Sequence, residues 1–368
     1  MISKERLVNI FIKMLAHESP SFEERPMAEW LINYLQDRGF AVHMDLCADK
    51  IGGNCGNLVA HLKGNKSKEP ISFAAHLDQI PPCKDIKPII TGNLIHTDGT
   101  TTLGGDDKAG IAAILEALEH VLEEKTDLPD IYLLFTVCEE NGLLGAKNFD
   151  ANLLPVKNIV IIDAAGPAGI IAYKAPAMKT IEITFKGKKA HAGIEPEKGN
   201  NAVKIAADAI TNMHMGRIDW ETTVNIGRIE GGQATNIVPD RVKVLAEIRS
   251  HSKPKLEAEL AYMIKCCEES KVKNHSEFVF KSELNYPAFE LSKDEYIYQL
   301  CIKAFKKAGI EPNPIITGGG SDANILSALG YNCAIISVGM DNVHTLEETV
   351  NIDDMYKTAK ALAIMMEG

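Results

Sequence analysis

"MKTIEITFKGK", Met178 to Lys188, is where the chain changes its architecture. Ile181, Ile183 and Phe185 alternate with Thr180, Glu182, Thr184 and Lys186, the period-two pattern of a strand with one solvated face. The strand-length runs before it read differently. "PISFAAHLD" (70–78), "DIYLLFTVCEE" (130–140) and "VKNIVIIDAAG" (156–166) are continuously apolar, as strands buried on both faces are. Between the first two of these lies "KAGIAAILEALEHVLEEK" (108–125), with helical spacing. That alternation predicts an α/β layered domain with a mostly parallel sheet.

Outward from Met178 the order is strand, helix "GNNAVKIAADAITNMH", strands "TTVNIGRIEGG" and "DRVKVLAEIRS", helix "PKLEAELAYMIKCCEES" and strand "EFVFKSEL". This β-α-β-β-α-β succession is the ferredoxin-like α+β signature. From Tyr286 the α/β style returns with helix "EYIYQLCIKAFKKAG", strand "NCAIISVG" and a C-terminal helix from Asp353. We therefore expect a discontinuous α/β domain of residues 1–176 and 286–368, with a lid domain inserted at 177–285.

Composition excludes several classes. Of 368 residues, 45% are hydrophobic and 24% charged, as in globular proteins. The net charge of −11 disfavours nucleic acid and anionic membrane as partners. No run approaches the length of a membrane span, and the N-terminal residues read as amphipathic helices broken at Ser19-Pro20. The eight cysteines form no CxxC pair, which fits reduced, buried thiols. The expected location is the cytoplasm.

The chemistry gathers where apolar runs stop. "AAHLDQI" sets His76 and Asp78 two apart on one strand face, so His76 could ligate a metal while Asp78 orients its ring. "LGGDDKAG" places Asp106 and Asp107 in a Gly-Gly turn before a helix, "TVCEENG" supplies Glu139 and Glu140, "IIDAAG" supplies Asp163, and "DNVHTLEE" offers His344. Singly, each acid reads as a turn residue or helix cap. Together they cluster at strand ends, where open α/β sheets bind ligands. Histidine mixed with carboxylate and no cysteine suits zinc, manganese or cobalt in a hydrolytic site. One acid beyond a single tetrahedral set points to two metals sharing a carboxylate, supplied by the "GGDD" turn.

The ordered series "HLD", "DGTTTLGGDDKAG", "CEENGLLGAK", "IIDAAG", "KKAHAG", "ATNIVPD", "GGGSDAN" and His344 resembles the dizinc peptidases and deacylases, which include tripeptidase T, carboxypeptidase G and the aminoacylases. It is most similar to the peptidase T-like group. The resemblance implies a hydrolase that cleaves amide bonds in short peptides as an aminopeptidase; an N-acyl amino acid deacylase shares the metal set, and a catalytically dead metal scaffold would lack the base or bridge. It implies two zinc ions, with cobalt or manganese as substitutes: His76 and Asp163 on one, Glu140 and His344 on the other, Asp106 bridging through a cis Asp106–Asp107 peptide. Glu139 would be the general base and Asp78 the partner of His76. From the lid, His191 would face the oxyanion, often across a homodimer, and Asn236 and Arg249 the substrate. Gly319, Gly320 and Ser321 form a turn whose backbone N–H groups could meet an anion, although Ser321 and Asp322 could equally cap a helix. Tripeptidase T proper carries an arginine where Gly318 stands and a threonine at Ser321, so peptide length is open.

Overall fold

The computed structural model describes residues 1–124 and 127–368. The chain divides into two compact units: Met1–Tyr173 with Glu290–Thr317 and Ser321–Gly368, and Lys174–Phe289 with Gly318–Gly320.

The first unit begins with helices α1 (Lys4–Leu15) and α2 (Arg25–Gln36), then β1 (Ala41–Met44), the short α3 (Cys47–Ile51), β2 (Leu58–Leu62) and β3 (Ile71–His76). A small hairpin follows, β4 (Ile89–Thr91) and β5 (Leu94–His96), before helix α4 (Gly105–Glu123). Lys125, the last residue of the expected helix, lies outside the described residues. Then come β6 (Ile131–Thr136), α5 (Leu144–Lys147), β7 (Asn158–Ala164) and β8 (Ile170–Ala175). All six residues of β3 are buried and β6, β7 and α4 are nearly so, which explains their unbroken apolar runs.

The insertion runs β9 (Ala177–Lys186), α6 (Ala202–Asn212), a two-residue β10 (Gly216–Arg217), β11 (Thr222–Gly231), β12 (Arg241–Ser250), α7 (Lys253–Asn274) and β13 (Glu277–Tyr286). Its sheet has the order β10-β11-β12-β9-β13 and is antiparallel throughout. Strand β12 alternates strictly, burying Val242, Val244, Ala246 and Ile248. These join Ile181, Ile183 and Phe185 of β9 and Ile205, Ala209, Leu256 and Met263 of the two helices in a core separate from that of the first unit.

The chain then re-enters the first unit through β14 (Phe289–Glu290), α8 (Tyr296–Lys307), β15 (Asn313–Ile316), α9 (Asp322–Ala328), β16 (Asn332–Ser337), β17 (Met340–Asp341), β18 (Thr349–Asn351) and α10 (Ile352–Glu367). The main sheet has the order β1-β2-β6-β3-β7-β16-β8-β14, with β15 on β8. Its centre, β6-β3-β7-β16, is parallel. Both margins are antiparallel, β1 and β2 on one side and β8 on the other. The C-terminal ends of the four parallel strands therefore face one way. The small sheet β17-β18-β5-β4 contributes the loop between β17 and β18.

Candidate metal centre

Three of the parallel strands deliver side chains directly. His76 is the last residue of β3, Glu139 and Glu140 follow β6, and Asp163 is the penultimate residue of β7. Gly104, at φ +74°, turns the chain into α4, and Asp106 and Asp107, joined by a cis peptide, interrupt the helical dihedrals. His344, at φ +66°, comes from the loop between β17 and β18.

Asp106 is the hub. Its Oδ1 lies 3.0 Å from His76 Nε2 and its Oδ2 lies 3.1 Å from His344 Nε2. On the first side Asp163 Oδ1 stands 3.7 Å from His76 Nε2; on the second, Glu140 Oε1 stands 2.9 Å from His344 Nε2. Each oxygen of one carboxylate thus faces its own histidine–carboxylate pair. Donor atoms of His76, Asp106 and Glu140 lie within 4.8 Å of one another, as do those of His76, Asp107 and Asp163. Asp107 is nevertheless engaged by backbone: its oxygens accept the N–H groups of His76 (3.3 Å) and Gly110 (3.2 Å). Glu139 belongs to neither group.

Protonation follows the geometry. Burial pushes Asp106 up, but hydrogen bonds from His344 and His76 outweigh it and hold the acid below the usual carboxylate range. Those bonds to Asp106 and Glu140 raise His344 to about 10. Burial pushes Asp163 up to about 7, and burial with the Asp163 charge drives Glu139 well above the ordinary range.

Asp78 meets the His76 ring through both its backbone and its side chain. The Nδ1 of His76 is 2.9 Å from the backbone carbonyl of Asp78 and 3.4 Å from its carboxylate. The carbonyl is therefore the nearer partner of the ring. The carboxylate also accepts the N–H groups of Glu139 (2.9 Å) and Glu140 (3.2 Å) and the Ser21 hydroxyl (2.7 Å). It holds the end of β6, because it is fully buried where the chain leaves the sheet.

Two polar groups near the centre have buried roles that the sequence did not show. Lys108 is fully buried, and its Nζ donates to the His17 carbonyl (2.8 Å) and to Gln79 Oε1; burial lowers it to about 7. Buried Asp322 accepts the Thr136 hydroxyl beneath the end of β6. "DDKAG" and "GGGSDAN" gave each a local motif, yet no local signal told buried from solvated.

In the inserted unit His191 and Asn236 are exposed and their loops are stitched together, Ala192 N–H donating to the Asn236 carbonyl at 2.9 Å. Arg249 pairs in a fork with Glu247 (2.9 and 3.3 Å), and its Nη1 is 3.4 Å from the Gly318 carbonyl. A side chain at Gly320 would meet the Tyr286 ring at 2.3 Å, whereas Gly318 has open space; Gly319 lies between them. Ser321 takes the role of helix cap: its hydroxyl accepts the Ala323 N–H and its own N–H donates to Asn324, closing a capping box on α9.

A family model described as the peptidase dimerisation domain matches residues 175–275, and one for peptidase family M28 matches 57–214. Aminopeptidase PepT from Bacillus cereus superposes with a TM-score of 0.93 at 36% identity, covering 100% of this chain and 98% of that one. A tripeptidase from Staphylococcus aureus gives 0.97 at 33%, over 100% and 98%. Peptidase T of Vibrio cholerae is 28% identical over 344 residues, 89% of this chain and 80% of that protein. Fold, site and relatives together define a metallopeptidase of the aminopeptidase type. The chain belongs to the peptidase T family.

Proposed function

We propose that this protein removes the N-terminal residue of short peptides with two zinc ions, His76 and Asp163 holding one, His344 and Glu140 the other, and Asp106 bridging. The observation that carries this reading is the split of Asp106, one oxygen toward each histidine–carboxylate pair. The donor set fits: two imidazoles and three carboxylates, no thiolate, with His76, Asp163 and Glu140 from the ends of the parallel strands, Asp106 from the turn into α4 and His344 from the loop between β17 and β18. When bound, such a pair supplies Lewis acidity, making water more acidic and polarising the scissile carbonyl.

The chain's own residues do the rest. Glu139, outside both ligand groups, takes the proton from the attacking water and hands it to the departing amine. Asp78 keeps Glu139 and Glu140 in register through their backbone N–H groups. We read the unit of 174–289 as lid and dimerisation domain of a homodimer, supported by the family model it matches. By family resemblance His191 serves the developing oxyanion, and Asn236, Arg249 and the turn of Gly319, Gly320 and Ser321 serve the substrate. Eight free cysteines accord with a reducing, cytoplasmic setting.

The test is a hydrolysis screen on metal-reconstituted enzyme with tripeptides, dipeptides, N-blocked tripeptides and N-acetyl amino acids, with a chelator control. Cleavage of free-amine peptides, abolished by blocking and by chelation, is expected. Preference for N-acyl amino acids would move the chain to the deacylases.

A further inference from the structure

The loop that carries His344 closes on a second acid. Glu348 is only 2% exposed, and its carboxylate accepts three backbone N–H groups from the turn that carries Asp106. Leu103 and Gly104 donate to Oε2 at 2.8 and 2.9 Å, and Asp106 donates to Oε1 at 2.9 Å. The turn presses close: a Cβ at Gly105 would stand 2.9 Å from Glu348 Oε1 and 2.5 Å from Val350. Gly104 is needed for its positive φ, and Gly105 for this approach.

The other end of the contact is equally fixed. Residues 342–348 brace themselves, with the Thr345 hydroxyl donating to the Asn342 carbonyl (2.7 Å) and the Glu347 N–H donating to that hydroxyl (3.1 Å). Glu348 N–H bonds the Thr345 carbonyl at 3.3 Å. Beyond it Val350 pairs with Ile95 in the small sheet. One buried side chain therefore ties the loop of His344 to the turn of Asp106, 242 residues apart in sequence at the Asp106 contact.

We infer that Glu348 is a positioning residue for the metal centre: it sets the register between His344 and Asp106 that places their donor atoms 3.1 Å apart. The inference rests on the two-metal reading above. A carboxylate suits the task because three donors need an acceptor at both oxygens. Glutamine keeps the volume but turns one acceptor into a donor, leaving an N–H group of the turn facing an NH₂. The ion held by His344 and Glu140 depends on the tie directly, whereas His76 and Asp163 are seated on β3 and β7.

The experiment titrates Zn²⁺ into chelator-stripped wild type and Glu348→Gln against a chromophoric competitor, with melting of the metal-free proteins and kcat and KM for a tripeptide. In Glu348→Gln, one ion is expected to weaken ~10–100-fold, as outer partners of metal ligands do when removed, while the other stays within about threefold. The kcat should fall with KM nearly unchanged, and metal-free melting should shift little. Wild-type affinity for both ions would overturn the inference, and so would equal weakening of both alongside a large drop in metal-free melting, the signature of a merely structural acid. If Glu348→Gln does not fold, Gly105→Ala, which pushes on the same carboxylate from the turn, decides by the same readouts. A wild type that binds no pair of ions would instead sink the two-metal reading.

Discussion

Replacing Glu139 with glutamine separates the base from the ligands. The side chain belongs to neither ligand group, and the residue is anchored through its backbone, its N–H donating to Asp78 and its carbonyl accepting from Gly142 and Leu143, all of which the substitution leaves in place. Metal content should therefore stay at the wild-type value. Burial, with the Asp163, Asp322 and Glu140 charges against the opposing His76, favours the neutral form of Glu139, so a neutral amide suits the position and thermal stability should hold. The loss falls on the chemical step. A positioned base contributes ~10²–10⁴-fold, so a thousandfold drop in kcat, about 4 kcal/mol on the barrier, is the central expectation. KM should change little, because glutamine retains shape and polarity. The assay is steady-state tripeptide hydrolysis with metal analysis on the same preparation. A kcat within tenfold of wild type would refute the base assignment. Loss of one metal equivalent in step with activity would refute it differently, by making Glu139 a ligand.

Metal binding should release protons. His344 stands raised to about 10 by Asp106 and Glu140, so it is protonated at pH 7 in the metal-free protein, yet only the neutral ring can ligate. Affinity should then climb with pH and level off near 10; calorimetry at pH 7 in buffers of different ionisation enthalpy would detect the proton, and buffer-independent heats would contradict the ligand assignment. Asp78→Asn should lower kcat and weaken metal at the His344–Glu140 side, since one acceptor cannot serve the N–H groups of Glu139 and Glu140 as the carboxylate does; metal analysis and kinetics unchanged from wild type would leave Asp78 as a bystander. Away from the site, fully buried Glu116 receives Arg6 (2.6 and 3.0 Å) and the Ser3 N–H (2.6 Å). Glu116→Ala should cost about 2–3 kcal/mol in denaturant unfolding while leaving kcat intact.

The legible parts of the structure were those whose reason is local. Continuous apolar runs announced β3, β6, β7 and β16 because burial on both faces leaves no polar position. The alternation of β12 announced a one-sided sheet. The hairpin of β4 and β5 went unread: its strands have three residues each, and five of those six side chains are exposed or partly so, which leaves no apolar period to detect. His344 could be offered as a loop candidate, but its place beside Glu140 came only by resemblance, since a lone histidine in a loop with positive φ carries no periodic signal. Glu348 left none either; "LEE" reads as a solvated turn, and its three N–H partners lie more than 240 residues away. The further partners of the Asp78 carboxylate were hidden for the same reason. His76 is two residues away and legible by strand periodicity, while the backbone N–H groups the carboxylate also accepts lie 61 and 62 residues on.

What the acids face sorts them more sharply than where they sit. Asp78, Asp107 and Glu348 are buried and accept backbone N–H groups: those of Glu139 and Glu140, of His76 and Gly110, and of Leu103, Gly104 and Asp106. Their lone pairs are committed to holding chain. Asp106, Asp163 and Glu140 face imidazoles instead, so their oxygens converge on the same space as the other nitrogen and oxygen donors. A cation competes on good terms for the second kind and poorly for the first, since displacing three N–H bonds from Glu348 would strand three buried donors. On this reasoning Asp107, although within 4.8 Å of His76 and Asp163, is a brace and not a ligand. Asp107→Asn should then disturb metal binding less than Asp106→Asn, because the amide can still accept one of the two N–H groups, whereas the bridge needs both oxygens charged. The reverse order in a Zn²⁺ titration would show that backbone contacts do not mark an acid as structural in this centre.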